Sequence, residues 1–124
     1  METKTRTPFK TVVFLAFEIL IGRSDIENDQ LTFEVAESGD IWLHVGDDFP
    51  GSHVVIRKPV EIKVPTEVLR RAAELAAWHS KAKNLGKVNV HYCLISEIRK
   101  EKNHPAGTVE ISNYKEIKVK PVAP

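Results

Sequence analysis

The sequence has few of the features that mark secreted, disulfide-stabilised or membrane-spanning proteins. It contains one cysteine, Cys93, among 124 residues, so no internal disulfide can form and nothing depends on an oxidising compartment. Its most apolar stretch, residues 11–22, contains Glu18 and is shorter than the roughly 20 residues of a membrane-spanning helix. No small-residue cleavage site follows it, which argues against a signal peptide. We therefore expect a cytoplasmic protein with no membrane segment.

The sequence also has almost no net charge, but its charges are unevenly distributed. The formal net charge is +1. Residues 1–50 hold 4 Lys and Arg against 10 Asp and Glu, whereas residues 51–124 hold 14 against 7. A local cluster of cations attracts polyanions whatever the total charge of the protein. The basic half is therefore a candidate polyanion surface, although two solvated halves of unequal charge would give the same counts.

Length and composition indicate one folded domain that spans residues 1–124. The chain is 42% hydrophobic and 28% charged, which is an ordinary globular balance. Short β-branched or alternating runs predict strands in TVVFLA, EILIG, LTFEV, IWLHV, HVVIRK, VNVHYCLI, TVEI and EIKVK. The first two of these segments suit a hairpin, and SDIENDQL is typical of a capped turn.

One amphipathic helix is predicted between these strands, from Thr66 to about Asn84. Thr66 is the expected N-cap, and Gly86 is the expected stop signal. Its apolar positions recur with helical spacing and include many alanines, which allow close packing on a sheet. The predicted fold is therefore α+β, with a mostly antiparallel β-sheet covered by one main α-helix.

Residues 39–57 bring aromatic and polar side chains onto two neighbouring predicted strands. Side chains alternate along a strand, so Trp42 and His44 share one face, as do His53 and Arg57 on the next strand. If the intervening GDDFPGS closes an antiparallel pair, burial of both apolar rows places these four side chains on one common surface. Such a platform can stack a base on Trp42 and pair a phosphate. The competing interpretation is that Trp42 is simply part of the core.

Three other chemistries use the same residue types. His44 and His53 with Asp40 supply enough ligands for a metal, but the spacing matches no established metal signature. His91 and Cys93 share a strand face, as a base and a thiolate would. Ser52 and His53 are adjacent but lack an orienting third group. A buried cysteine acting as an apolar filler is the simpler interpretation of Cys93.

The segment DIWLHVGDDFPGSHVVIR closely resembles the signature of the NFACT RNA-binding domain, or NFACT-R module. This module occurs in ribosome-quality-control factors that were once called fibronectin-binding proteins. Further segments that resemble the family are ILIGRSDIENDQLTF, AAELAAWHSKAK, VHYCLISEIRK and PAGTVEI. The resemblance covers about residues 12–120, and it implies a single NFACT-R-like domain with short flexible termini.

The chain departs from the family in two respects. The segment RKEKNHPAG lacks the family's usual Lys/Arg-Lys-Pro pattern, with Asn103 and His104 in the loop. The 124 residues also include neither the family's large N-terminal domain nor its helical spacer, which support tRNA recruitment and alanine tailing on stalled large ribosomal subunits. We therefore expect an RNA-binding module that contacts tRNA or ribosomal RNA, in ribosome-associated quality control or RNA modification. Whether a protein partner supplies the missing domains is left open by the sequence.

The resemblance also implies roles for individual residues. The candidates for RNA binding are Arg23, Trp42, His44, Ser52, His53, Arg57, Lys81, Lys83, Arg99 and Lys100. The candidates for structural roles in the motif are Gly22, Asp29, Asp40, Pro50, Gly51 and Gly107. The two carboxylates belong to the structural set because a carboxylate repels phosphate. No catalytic residue, metal or cofactor is expected.

Other functions remain open at this point. A small RNA-processing enzyme or accessory subunit would use the His-rich surface for acid–base chemistry, because histidine titrates near neutral pH. Against an enzyme, the sequence has no carboxylate pair, Gly-rich phosphate loop or zinc signature. Adhesion to an extracellular matrix protein is suggested only by the family's old name, and the missing signal peptide argues against it.

Overall fold

The computed structural model describes residues 9–58, 62–100 and 105–124. Its main sheet has six strands in the order β1-β2-β4-β3-β5-β8, and every neighbouring pair is antiparallel. These strands are β1 (Lys10–Phe14), β2 (Phe17–Ile21), β3 (Ile41–Val45), β4 (Val54–Arg57), β5 (Val88–Leu94) and β8 (Lys115–Val119). A second antiparallel pair joins β6 (Ile98–Arg99) to β7 (Glu110–Ile111). The predicted α+β class and antiparallel sheet are confirmed.

The predicted hairpin between the first two strands is present. Phe14 pairs with Phe17, so only Leu15 and Ala16 form the turn. Both turn residues have positive φ, at 49° and 68°. Two successive residues with positive φ match the twist of the flanking strands, which is why such two-residue turns close hairpins.

The main helix, α2, covers one face of the sheet, as predicted, but its ends differ from the prediction. It spans Thr66–Trp78, and Pro65 rather than Thr66 occupies the N-cap position. It stops well before Asn84 because the chain turns away to pair with the β3–β4 connection. There the amide of Ser52 donates to the carbonyl of His79 at 3.0 Å.

The opposite face of the sheet is also partly covered, which the sequence analysis did not predict. A short helix, α1 (Asp25–Gln30), continues into a π-helical turn, Leu31–Val35. The prediction of a strand at LTFEV is therefore wrong. Ser24 is the N-cap of α1, and its hydroxyl accepts a hydrogen bond from the amide of Glu27 at 3.1 Å. Because the helix begins there, the following residues Leu31–Val35 extend it by one turn instead of forming a strand.

Two apolar clusters result, one on each face of the sheet. The larger cluster packs α2 against residues such as Leu43, Val54 and Ile56, all 0% exposed. The smaller cluster packs the π-helical turn and the β6–β7 pair against Trp42 and Val55. Over part of its area the sheet therefore lies between two layers, with α2 on one face and the π-helical turn and the β6–β7 pair on the other. Trp42, one of the predicted site residues, lies in the smaller cluster.

The ends of the chain were expected to be short and flexible. Residues 1–8 of the N-terminal end lie outside the described residues, as do Asn103 and His104 of the basic loop. At the C-terminal end, Arg71 on α2 donates to the carbonyl of Ala123 at 2.7 Å. Within the described ranges, none of the helices is long and apolar enough to cross a bilayer.

Candidate nucleic-acid interface

Three of the predicted site residues form a compact aromatic cluster. β3 and β4 pair so that Trp42 lies opposite Val55, and the alternation predicted from the sequence brings His44 and His53 to the same side. Their ring centroids lie 5.4 Å apart, and the Trp42 ring lies 5.8 Å from His44 and 5.1 Å from His53. However, Trp42 is 2% exposed and His53 is 1% exposed. The expected open platform is therefore wrong at these two positions, because neither ring is accessible for stacking on a base.

A chain of hydrogen bonds fixes these rings to the layer above them. The indole N–H of Trp42 donates to Oγ1 of Thr32 at 3.2 Å, and Thr32 Oγ1 lies 2.8 Å from Nδ1 of His53. Nε2 of His53 lies 3.2 Å from the carbonyl oxygen of Gly107. A carbonyl only accepts, so the proton of a neutral His53 sits on Nε2, and Nδ1 accepts from the threonine hydroxyl. Thr32 therefore holds the cluster together, a role that the strand predicted at LTFEV did not reveal.

The surroundings keep the histidines of this cluster neutral. Burial, assisted by the neighbouring His44, lowers the pKa of His53 to about 4. Burial also lowers the pKa of His44, and nearby His91 lowers it further, while the carbonyls of Val45 and Gly51 act in the opposite direction. A buried imidazole is more stable without its charge because the protein solvates charge less well than water. The cluster therefore presents neutral rings near pH 7.

A turn formed by residues 105–108 is clamped above this cluster. The amide of Gly107 donates to Oδ1 of Asp29 at 2.9 Å, and Gly107 has the positive φ, 84°, that favours glycine. The other carboxylate oxygen of Asp29 lies 2.9 Å from the ammonium of Lys100. Lys100 also donates to the carbonyls of Pro105 and Thr108, at 2.9 and 3.3 Å. Asp29 and Lys100 thus hold the 105–108 turn together, and Lys100 is already engaged within the protein.

Arg57 belongs to a separate ionic network. Its Nε lies 3.0 Å from Oδ2 of Asp40, and its Nη2 lies 3.4 Å from the carboxylate of Glu37. The buried carboxylate of Asp40 also accepts from the amides of Glu37 and Lys58, both at 2.9 Å. Asp40 therefore anchors the start of β3 to the end of β4 and fixes Arg57, whose charge is compensated by two carboxylates.

Two of the motif glycines allow close packing around the same site. A side chain at Gly22 would collide with Asn28, whose Oδ1 accepts from the amide of His53 at 3.1 Å. A Cβ at Gly51 would lie only 2.8 Å from that of Ser80. The carbonyl of Pro50 accepts a hydrogen bond from the amide of Lys81 at 2.9 Å, and Gly51 pairs with Ser80. These contacts join the Pro50–Gly51 segment to the residues that follow α2.

A cluster of cations surrounds the C-terminal end of α2. Burial lowers the pKa of His79, and the positive charges of Lys10 and Lys83 lower it further, against a hydrogen bond to the Leu75 carbonyl. The Lys83 ammonium lies 3.9 Å from the centroid of the half-buried Trp78 ring. We call Lys10, Lys81 and Lys83 the lysine face. None of the three takes part in an ion pair among residues 9–58, 62–100 and 105–124.

A cleft of about 340 Å³ lies beside the lysine face. Its lining includes three residues that were predicted to bind RNA, namely Arg23, Ser52 and Lys81, together with Trp78 and His79. Arg23 is paired with Glu27 at 2.9 Å. Trp78, His79 and Lys10 were missed by the sequence analysis. The run WHSKAK could have identified the first two, since it places an aromatic ring and a histidine directly before two lysines.

The remaining predicted RNA contacts are less closely grouped. Arg99 is exposed on the β6–β7 pair, where its partner in register is Glu110. It lines neither the cleft beside Lys81 nor the cavity next to His44. The structure thus brings Lys81 and Lys83 together at the end of α2, and it places Arg57, Arg99 and Lys100 in other surroundings.

The geometry does not favour the metal or nucleophile interpretations. Both ring nitrogens of His53 are engaged by protein groups, and no group of three or more metal-ligating side chains occurs in the part of the chain that the structure describes. Burial, together with nearby Glu97, raises the pKa of the Cys93 thiol to about 11. A thiol with such a pKa is protonated near neutral pH and is a poor nucleophile.

An exposed group of lysines beside an aromatic ring, on a small α+β domain, is typical of a nucleic-acid-binding module. Comparison with known families supports this class, because the family described as NFACT protein RNA binding domain matches residues 9–113. The chain belongs to this family of RNA-binding domains.

Individual relatives agree with this assignment. The chain is 38% identical over 103 residues to a protein named Rqc2 homolog RqcH from Streptococcus suis (strain 05ZYH33), and 38% identical over 105 residues to the protein of the same name from Bacillus subtilis (strain 168). These matches cover 83% and 85% of this chain but 18% of each relative. The chain therefore corresponds to less than a fifth of the length of these relatives.

A solved structure shows the same fold. It is described as the C-terminal of the fibronectin/fibrinogen-binding protein from Streptococcus suis (FBPS). The superposition has a TM-score of 0.86 at 34% sequence identity, and it covers 97% of this chain and 47% of the other. The two domains therefore share their architecture over nearly all of this chain.

Proposed function

We propose that this domain binds the phosphate backbone of RNA on the lysine face, with Trp78 beside it as a stacking surface. The RNA is a tRNA or a ribosomal RNA, including that of the large ribosomal subunit, and the setting is ribosome-associated quality control in the cytoplasm. A protein partner in the same setting is part of this proposal. A role in RNA modification is the alternative setting for the same binding surface.

The observation that carries this proposal is the grouping around Trp78 and His79 of lysines that have no ion-pair partner within the described ranges. Lysine ammonium groups without carboxylate partners attract phosphate and release its counterions. An adjacent indole ring can stack on any base, which suits binding with little sequence preference. The family match over residues 9–113 gives the reason to expect RNA rather than another polyanion.

An enzymatic role for the histidine cluster has less support. General acid–base catalysis requires a ring nitrogen that can reach a substrate proton. Both nitrogens of His53 are occupied by Thr32 and Gly107, and the ring is 1% exposed. These contacts explain His53 as a structural residue that holds the layers together.

The proposal is tested by the salt dependence of RNA binding. Fluorescence anisotropy would measure the Kd for a labelled single-stranded RNA and for tRNA at several salt concentrations. Each phosphate contact on a single strand contributes about −0.7 to the slope of log affinity against log salt. Replacing Lys81 and Lys83 with Ala should weaken binding and reduce the steepness of that slope by about one unit or more.

The control carries two alanines at exposed lysines elsewhere. Lys118 lies on β8, at the opposite edge of the sheet from β1, and Lys120 follows the end of that strand. The K118A/K120A variant loses the same charge and should keep the wild-type slope. Undetectable RNA binding at low salt, or equal slopes in both double variants, would contradict binding on the lysine face.

A further inference from the structure

A cavity of about 530 Å³ lies next to the cleft beside the lysine face. It is bounded by the β3–β4 connection on one side and by the 105–108 turn on the other. Asp25, Pro50 and Gly51 line both the cavity and the cleft. A volume in the range of about 300 to 1,000 Å³ is typical of small-ligand sites, so one nucleoside can fit here while its neighbours stay in the cleft.

The charges around the cavity disfavour phosphate inside it. Its described lining contains the carboxylates of Asp25 and Asp48 and no lysine or arginine, whereas in the neighbouring cleft Asp25 is accompanied by Arg23 and Lys81. The lining histidines His44 and His53 are kept neutral mainly by burial. Anions are therefore repelled, in contrast to the lysine face. The cavity suits the uncharged part of a nucleotide, whose phosphate can remain in the basic cleft.

The walls of the cavity offer flat rings and hydrogen-bond acceptors. The ring centroids of His91 and the exposed Tyr114 lie 4.4 Å apart. Both residues line the cavity together with His44. Rings of this kind stack on nucleobases, as in single-strand RNA recognition. The carboxylate of Asp48 can only accept hydrogen bonds when ionised, so it favours a base that donates through an exocyclic amine, as carboxylates do with cytosine. Uracil offers only its ring N–H, which lies between two carbonyl oxygens that a carboxylate repels.

From these features we infer that the cavity binds one unpaired nucleobase with an exocyclic amine, namely adenine, cytosine or guanine, in preference to uracil. This inference rests on the proposed function, because the phosphates that flank this base lie in the cleft beside the lysine face. The lysine face supplies affinity that does not depend on sequence, and the cavity adds selection for one unpaired base.

Filling the cavity tests the inference. Ala106 is an exposed residue of the clamped turn and lines the cavity, so Ala106→Trp should occupy the space of the base. Ala123 is also exposed and lines neither the cavity nor the cleft beside it, so Ala123→Trp is the matched control. The ligands are labelled octamers of adenylate, cytidylate and uridylate, and an octamer of abasic ribose phosphate. Circular dichroism checks that both variants are folded.

The wild-type protein should bind the adenylate and cytidylate octamers more tightly than uridylate, and the abasic octamer most weakly. A106W should weaken binding of the adenylate octamer about tenfold, because the stacking of one base is lost. It should leave the salt slope and the abasic affinity unchanged. If A106W does not fold, Asp48→Asn provides a second test. Asn tolerates the positive φ of 61° at this position, and D48N should reduce the preference for adenylate over uridylate.

The outcomes separate the two proposals. Equal affinity for all four octamers, or equal effects of A106W and A123W, overturns the base site even when K81A/K83A still weakens binding. That pattern leaves the lysine face in place as a backbone-binding surface. Loss of all RNA binding in the wild-type protein overturns the proposed function and the base site together.

Discussion

The hydroxyl of Thr32 donates a hydrogen bond to Nδ1 of His53 at 2.8 Å, across 21 residues of sequence. The same oxygen accepts from the indole N–H of Trp42 at 3.2 Å. One hydroxyl therefore satisfies two buried polar groups, and it joins the π-helical turn to both β3 and the segment that leads into β4. This contact determines how the candidate site is held in place.

Replacing Thr32 with Val should strongly destabilise the protein. Valine has nearly the same shape but leaves Nδ1 of His53 and Nε1 of Trp42 without partners, and each unsatisfied buried group costs about 1 to 3 kcal/mol. Urea unfolding should show a loss of about 2 kcal/mol or more. Thr32→Ser keeps the hydroxyl and loses one methyl group, worth about 1 kcal/mol. Equal stability of the two variants would show that the hydroxyl is unimportant.

The buried His53 should make stability depend on pH. Its pKa is about 4 in the folded protein and about 6.5 in an unfolded chain. Below pH 6.5 the unfolded state binds a proton that the folded state does not, so the free energy of unfolding decreases as the pH falls from about 6.5 to about 4. The full effect of a shift of this size is about 3 kcal/mol.

Urea denaturation at pH 7.0 and pH 5.0 measures this effect. His53→Gln should be less stable than the wild type at pH 7.0, because glutamine does not reproduce the imidazole ring whose two nitrogens contact Thr32 and Gly107. It should also lose less stability on acidification. If His53→Gln loses as much stability on acidification as the wild type, the pH dependence of the free energy of unfolding arises from other groups, such as His44.

Sequence patterns were sufficient to predict the relationship between β3 and β4. The alternation in IWLHV and HVVIR fixes which side chains share a face, and the observed pairing of Trp42 with Val55 follows from it. A local pattern cannot show what covers that face. The segment LTFEV alternates like a strand but forms a helical turn over the sheet, because the preceding helix continues and Thr32 is held by distant partners.

The end of α2 shows the same limit of local patterns. The sequence favours a helix well past Trp78, and Lys81 and Lys83 would then lie on its last turn. The chain instead leaves the helix at His79, where backbone bonds to the Pro50–Ser52 segment replace the next helical turn. Those bonds depend on the close approach of Gly51 to Ser80, which no property of the helix sequence reveals. Lys10, distant in sequence, joins the same surface only in the folded chain.

The two tryptophans should respond differently to truncation. Trp42 is 2% exposed and belongs to the inner cluster, so Trp42→Ala should reduce the free energy of unfolding by about 4 kcal/mol. Trp78 is half-buried at the end of α2 beside Lys83. Trp78→Ala should have a smaller effect on stability and weaken single-stranded RNA binding about tenfold through lost stacking.

Urea unfolding and anisotropy on the same preparations would separate these effects. The salt slope of Trp78→Ala should equal that of the wild type, because no cation is removed. If Trp78→Ala leaves RNA affinity unchanged while K81A/K83A reduces it, the lysine face binds the backbone without stacking on Trp78.

The clamp on the 105–108 turn should depend on Asp29. Asp29→Ala removes the acceptor for the Gly107 amide and the partner of Lys100. Hydrogen–deuterium exchange at Gly107 should then accelerate about tenfold or more, because a hydrogen bond to a charged group contributes about 1.5 to 3 kcal/mol. Asp29→Asn keeps an acceptor oxygen but loses the charge, so its exchange rate should be intermediate. Identical exchange at Gly107 in all three proteins would mean that Asp29 does not hold the turn.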